Sequence, residues 1–246
     1  MDVLLAGEIT APDIQLTWPP RPPSVELPGD EIHVWGASLH DPGLAAYAKR
    51  EMLAPEERER AAKFHFERDR KSFVVRRSVM RAVLGSYLRM AAADVPLVYE
   101  EWGKPRILAS NGDPPLHFNF SHSRGLALCA VGRFAALGVD VEKLRPMPEM
   151  AEIGATFCSP QENALIKGAS DDQRLEVFFD VWTRKEAYLK ATGQGLASSL
   201  AQIDCSEAAP GWTLHSLSPA QGYTGTLAFP GHADKVRCWR WEVGPA

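Results

Sequence analysis

An α+β protein made of two similar lobes in one chain is what the sequence predicts, and three observations predict it. Each half runs from a strand pattern through helical patterns and back to strands. Glycines and prolines punctuate those segments at their ends. At 246 residues and 45% hydrophobic content, the chain can bury one large or two small cores. The parallel order of the halves puts their junction near residue 136. This divides the chain into a proline-rich lead-in over 1–30, an amino-terminal lobe over 31–135 and a carboxy-terminal lobe over 136–246.

Within the lead-in, Pro19-Pro20 and Pro22-Pro23 favour an extended segment that wraps rather than folds. Glu31 to Ala37 is the first core strand. From Ala54-Pro55 the pattern turns helical, and between Lys49 and Arg89 twelve Lys or Arg stand against six Asp or Glu. Phe73, Met80, Leu84 and Tyr87 draw an apolar stripe there, and Arg76 and Arg77 fall on or beside it. An arginine in that place wants an anion or a buried carboxylate, and phosphate is a natural bidentate match.

Val95 to Tyr99 is the next strand, followed by the loop Trp102-Gly103-Lys104-Pro105. A permissive glycine and a rigid proline aim Lys104 at a ligand, or leave it an ordinary loop lysine. The alternation Leu116, Phe118, Phe120 marks a half-buried strand. Ser121-His122-Ser123-Arg124-Gly125 reads as a turn, in which His122 either holds the turn or offers a donor to phosphate. After the apolar strand Leu126 to Val131, a second hairpin leads to the strand carrying Asp140 and Glu142.

Val139, Val141 and Leu144 frame those two acids, and the period of a strand sends both carboxylates to one face. Ser159-Pro160-Gln161-Glu162 opens a helix as a capping box, which accounts for Glu162 structurally. The alternative is a general base at a helix start facing the site. A long helix then begins with Asp171 or Asp172 as N-cap and stops at Gly193. Its stripe is Leu175, Phe178, Phe179, Trp182 and Leu189. Glu186 falls inside the stripe and Lys190 lies one turn on, at its margin. Ile203 to Val243 is strand-like again.

A buried carboxylate is costly unless it is paired, neutralised or bound to a metal. One shared cation satisfies the strand pair and Glu186 together; the bland alternative pairs Glu186 with Lys190 and leaves Asp140 and Glu142 solvated. Oxygen-only ligation without a nearby Cys or His pattern suits magnesium, with manganese as a substitute.

The net charge of -4 and the 24% of charged residues give no general pull toward nucleic acid or membrane. Cys129, Cys158, Cys205 and Cys238 are too far apart for a CxxC pair or a zinc spacing, so they read as buried thiols in a reducing compartment. No run approaches a membrane-spanning length, and the expectation is a soluble cytoplasmic protein.

Three strings, Phe118-Asn-Phe-Ser-His122-Ser, Gly138-Val-Asp140-Val-Glu142 and Phe179-Asp-Val-Trp182-Thr-Arg-Lys185-Glu186-Ala-Tyr-Leu-Lys190-Ala-Thr-Gly193-Gln-Gly195-Leu, carry a family resemblance. Together they resemble the 4′-phosphopantetheinyl transferases of the large, pseudodimeric Sfp type, over roughly residues 31–230. The resemblance implies two α+β lobes related by a pseudo-twofold axis, with coenzyme A bound between them. It implies Asp140, Glu142 and Glu186 as magnesium ligands, Lys190 near the transferred phosphate, and Ser121 and His122 as phosphate contacts. Lys104 matches the lysine of a Gly-Lys-Pro loop, and Arg77 an arginine for the adenosine 3′-phosphate, with Arg76 one residue away. The implied reaction moves phosphopantetheine to a serine of an acyl or peptidyl carrier protein, with Glu186 or Glu162 as base and Lys190 and His122 stabilising charge. A monomer is implied, since both lobes lie in one polypeptide. Phe120 replaces the family's more usual aliphatic residue, Val139 and Val141 replace isoleucines, and the N-terminal basic residues of some members cannot be placed in this proline-rich, lysine-free lead-in.

Two rivals use the same residues. A magnesium-dependent coenzyme A or nucleotide pyrophosphohydrolase would give the phosphate to water, but no second dense carboxylate cluster is present in the sequence. A non-catalytic coenzyme A-binding module would not need Glu186 and Lys190 both to be present, so the full set argues for catalysis.

Overall fold

Alternation along β1 (Glu31–Ser38) sends Ile32 and Val34 to one face and Trp35 and Ala37 to the other, and both faces are buried. β1 therefore lies at the centre of a sheet, in the order β4-β5-β1-β9, formed with β4 (His117–Ser123), β5 (Leu126–Gly132) and β9 (Lys235–Arg240). This computed structural model describes residues 14–22, 24–99, 103–108, 115–193 and 200–242. The Trp102 side of the Lys104 loop and Gln194 to Leu196 of the third string lie outside them.

One face of this sheet is covered by the long helix α3 (Glu67–Leu88) through Val75, Val79, Val83 and Leu84. α1 (Pro42–Tyr47) and α2 (Pro55–Ala62) precede it, and the short pair β2 (Leu97–Tyr99) and β3 (Pro105–Ile107) follows. The carboxy-terminal half repeats the plan. β6 (Gly138–Lys143) leads to α4 (Met150–Phe157), α5 (Pro160–Gly168) and the long α6 (Arg174–Thr192), then to β7 (Trp212–Leu217) and β8 (Tyr223–Pro230). The strand order β6-β8-β7 mirrors β1-β5-β4, all antiparallel. The two sheets pack face to face, with Ile32, Val34, Leu126 and Leu128 against Val139, Val141, Leu227 and Phe229.

Three expectations are corrected. The division at residue 136 does not hold to the end of the chain, because β9 crosses back and pairs in parallel with β1. Trp239 and Trp241 pack on Trp35 at ring separations of 5.1 and 5.5 Å, and Arg237 bonds Glu31 at 2.7 and 3.2 Å. Second, β5 and β6 are not a hairpin, since they belong to different sheets. Third, α6 is preceded by Gln173 rather than capped by Asp171 or Asp172, and Asp171 instead pairs with Arg174. The described lead-in runs extended, with backbone bridges from Leu16 to Ala220 and Pro20 to Arg240. Cys129, Cys158 and Cys205 are buried free thiols, and Cys238 is half-buried.

α6 crosses β6 so closely that an added methyl at Gly138 would sit 2.0 Å from the Ala187 carbonyl oxygen and 2.6 Å from the Ala191 nitrogen. Gly138→Ala is expected to destabilise the protein by about 3 kcal/mol, read from the midpoint of denaturant unfolding. An unchanged midpoint would show that the helix does not press on the strand.

Candidate active site

β6 is an edge strand, and its free edge is satisfied by side chains of β4 rather than by another strand. Asn119, Ser121 and Ser123 share one face of β4 by its period of two. Asn119 Oδ1 accepts the Val139 N–H at 2.9 Å, and Ser121 Oγ donates to Asp140 Oδ1 at 2.8 Å. Ser123 Oγ donates to Glu142 Oε2 at 2.6 Å and accepts the Lys143 N–H at 3.3 Å. The Ser-His-Ser segment is thus strand, not turn, because its pairing with β5 continues to Ser123 opposite Leu126. The reversal is made by Arg124 and Gly125 alone, both at positive φ of 44° and 93°.

Asp140 is only 4% exposed, faces α6, and has Lys190 Nζ 2.5 Å from its Oδ1. Lys190 also donates to Ser121 Oγ at 3.0 Å. Burial raises the Asp140 pKa, against the pull of Lys190 and Ser121. Its Oδ2 is buried with no hydrogen-bond partner among the described residues. Glu186, half-buried on α6, is raised chiefly by burial; Lys190 opposes the rise, while Asp140 and Glu142 add to it. Glu142 thus acts on Asp140, and both act on Glu186.

The cage itself is not closed. Among the described residues no three carboxylate, His or Cys side chains stand together as a ready metal site. Lys190 supplies the charge Asp140 needs, and Glu142 is drawn to Arg145 at 3.2 Å. The donor set still fits a hard divalent ion, because Asp140 keeps an orphaned buried oxygen and two of the acids are held above their ordinary range, first by burial and then by the neighbouring carboxylates.

The cations divide differently from expectation. Arg77 turns away to Glu57, with Nε 3.6 Å from Oε1, and lies over the rings of Phe73 and Tyr99. Its neighbour Arg76 reaches the site, bonding His122 Nε2. The helix period separates adjacent residues by about 100°, so the two arginines turn to different partners. His122 keeps an exposed edge, yet its pKa is lowered to about 4, first by desolvation and then by Arg76 and Lys190. Lys104 comes to the same end of α6, donating to the Lys190 carbonyl in the last helical turn.

Glu162 is not part of this cluster. It is fully buried, its Oε2 takes the Ser159 N–H at 2.7 Å and Lys185 Nζ at 2.6 Å, and its Oε1 takes the Cys205 N–H at 2.8 Å. With both oxygens filled by structural donors, it has no lone pair turned to a substrate. Asn119, Ser123, Arg145 and Lys185 join the functional set only through their contacts in the fold. Asn119 and Ser123 share the strand face of Ser121, and Lys185 borders the stripe of Phe178, so periodicity alone could have flagged three of them.

A family model described as the 4′-phosphopantetheinyl transferase superfamily matches residues 136–225, and one described as 4′-phosphopantetheinyl transferase, N-terminal, matches residues 41–132. The chain is 35% identical over 237 residues to the 4′-phosphopantetheinyl transferase HetI of Nostoc sp., covering 93% of this chain and 100% of that protein. It is 29% identical over 148 residues to the 4′-phosphopantetheinyl transferase Sfp of Bacillus subtilis, covering 60% and 63%. A third relative, the L-aminoadipate-semialdehyde dehydrogenase-phosphopantetheinyl transferase of Mus musculus, is 29% identical over 161 residues, covering 62% and 52%.

Arg76→Ala should raise the His122 pKa from about 4 toward the ordinary histidine value, followed by NMR titration of the imidazole; no upward movement would remove Arg76 as a perturber. The sign also carries a stability consequence. As pH falls from the unfolded value near 6.5 toward 4, the unfolded chain binds a proton at His122 that the folded chain refuses, so this position costs folded stability across that window.

Proposed function

Since the chain belongs to the 4′-phosphopantetheinyl transferase superfamily, we propose that its cleft moves the phosphopantetheine arm of coenzyme A to a serine hydroxyl of an apo acyl or peptidyl carrier protein. The observation that carries this reading is the Ser121–Asp140–Lys190 contact, in which one residue from each of β4, β6 and α6 meets beside Glu186. Acid and base stand together there in the carboxy-terminal half, and Ser121 reaches both from the other sheet.

The chemistry follows from charge. The serine oxygen bonds to the phosphorus that bears pantetheine, the bond from that phosphorus to the bridging oxygen breaks, and adenosine 3′,5′-bisphosphate leaves with the electron pair. Glu186 takes the serine proton, directly or through water. Lys190 and His122 donate to the phosphate oxygens as charge moves toward the leaving group. Arg76, beside His122, offers the fork for the 3′-phosphate, and Lys104 a second cation at the end of α6. Asp140, Glu142 and Glu186 would hold magnesium, or manganese in its place, and the ion when bound supplies charge neutralisation at the pyrophosphate.

A carrier's acidic surface would meet the basic α2–α3 region, where Phe66 is 62% exposed amid Arg68, Arg70 and Lys71. Among the described residues no helix is long and apolar enough to cross a membrane. A cytoplasmic monomer that acts on coenzyme A and carriers, without nucleic acid or membrane, is the reading that accompanies this chemistry.

The test incubates the protein with magnesium, coenzyme A and an apo carrier, and weighs the carrier by mass spectrometry. A gain of one phosphopantetheine arm is expected. Free phosphopantetheine with an unmodified carrier would favour hydrolysis, and tight binding without turnover a binding module. Glu186→Gln is expected to lower kcat about a hundredfold or more with the thermal midpoint nearly unchanged, and full activity in that variant removes Glu186 as the base.

A further inference from the structure

Lys185 and Glu162 form the most deeply enclosed ion pair among the described residues, both side chains being fully buried at 2.6 Å. All three ammonium protons have acceptors, since Lys185 Nζ also donates to Phe157 O at 2.7 Å and Leu200 O at 2.9 Å. Glu162 is equally saturated by the Ser159 and Cys205 N–H groups. One knot thus ties α6 to the end of α4, the start of α5 and the segment around 200–205. Glu186 is the next residue along α6, turned by about 100°, and Lys190 shares its side one turn later.

We infer that Lys185 and Glu162 are a positioning pair that sets the rotation of α6 about its own axis and so holds Glu186 and Lys190 at Asp140. A buried ion pair adds little net stability over an apolar pair of the same volume, and its best-attested use is to fix register. The lever is short and sensitive. A rotation of about 20° moves a group at the helix surface, about 6 Å from the axis, by about 2 Å, and a misplacement of about 1 Å costs about a hundredfold in rate.

The amino-terminal half carries the same device without the chemistry. Glu57 at the start of α2 reaches back to the Ala54 N–H and pairs with Arg81 of α3 at 2.5 Å. Arg81, also buried, donates to Ala92 O, Ala93 O and Val95 O, as Lys185 donates to Phe157 O and Leu200 O. One and five residues after Arg81 stand Ala82 and Ser86, whereas one and five residues after Lys185 stand Glu186 and Lys190. The knot belongs to the repeated helix pair, and the reacting groups were placed on it in one half only.

The kinetic arm of the test rests on the transferase reading above; the structural arm does not. In the full chain, the double variant Glu162→Leu with Lys185→Met replaces the pair by apolar side chains. Its crystal structure is expected to have lost the Lys190 to Asp140 contact, which is 2.5 Å here, and an unchanged contact overturns the inference. Its kcat should fall about tenfold to a hundredfold while KM for coenzyme A stays within about twofold; unchanged kcat also overturns it. Lys185→Arg, imitating the Arg81 pair, should keep kcat within about threefold, and a loss as large as the double variant's counts against positioning by the pair. Should the double variant not fold, Glu162→Gln, which keeps the volume, is read by the same two measurements. An intact protein with no transfer at all would count against the transferase reading, and the contact measurement would still decide this inference.

Discussion

The free edge of β6 is the constraint on which the rest depends. An edge strand has backbone N–H groups that must find acceptors, and here Asn119 and Ser123 of the opposite sheet supply them. That docking locks the two sheets in register and leaves no freedom in where Asp140 and Glu142 point. Their neighbours Val139 and Val141 are spent on the apolar seam, so the acids turn to α6. The polar ladder and the apolar seam are two faces of one interface.

Charge then does the sorting. Asp140 is enclosed next to Lys190, Glu142 leans on Arg145, and Glu186 has no such close ion pair among the described residues and is raised by burial and by the other two acids. Arg76, His122, Lys190 and Lys104 gather at the same end of the cleft. Such an arrangement of excess acid beside excess base suits a ligand that brings both phosphate and a divalent ion. The molecule invests its second set of acids differently: Glu57 and Glu162 are consumed in buried pairs that hold the long helices.

Local periodicity made much of this legible. The stripe of α6, its stop at Gly193, the capping box at Ser159 and the paired acids of β6 all follow from spacing within a single element, and each is present. What escaped was set by partners distant in sequence. β9 reads as one more strand of its own half, and only Trp239 and Trp241 meeting Trp35 explain why it crosses. Ser121-His122-Ser123 has turn-like composition, but the pairing with β5 and the ladder to β6 hold it extended. Arg76 and Arg77 could not be told apart from a stripe, because Glu57, which claims Arg77, lies on another helix. The capping box accounts for Glu162 from spacing alone, and Lys185 and Cys205, both distant in sequence, fill its oxygens.

The most direct test of the central claim is a crystal structure with coenzyme A and manganese, the ion located by its anomalous signal. The account predicts one ion between β6 and α6, with oxygens of Asp140, Glu142 and Glu186 and of the pyrophosphate at about 2.0–2.3 Å, and Lys190 moved from Asp140 to a phosphate. An ion bound elsewhere, or coenzyme A seated away from the β4–β6 seam, would contradict it.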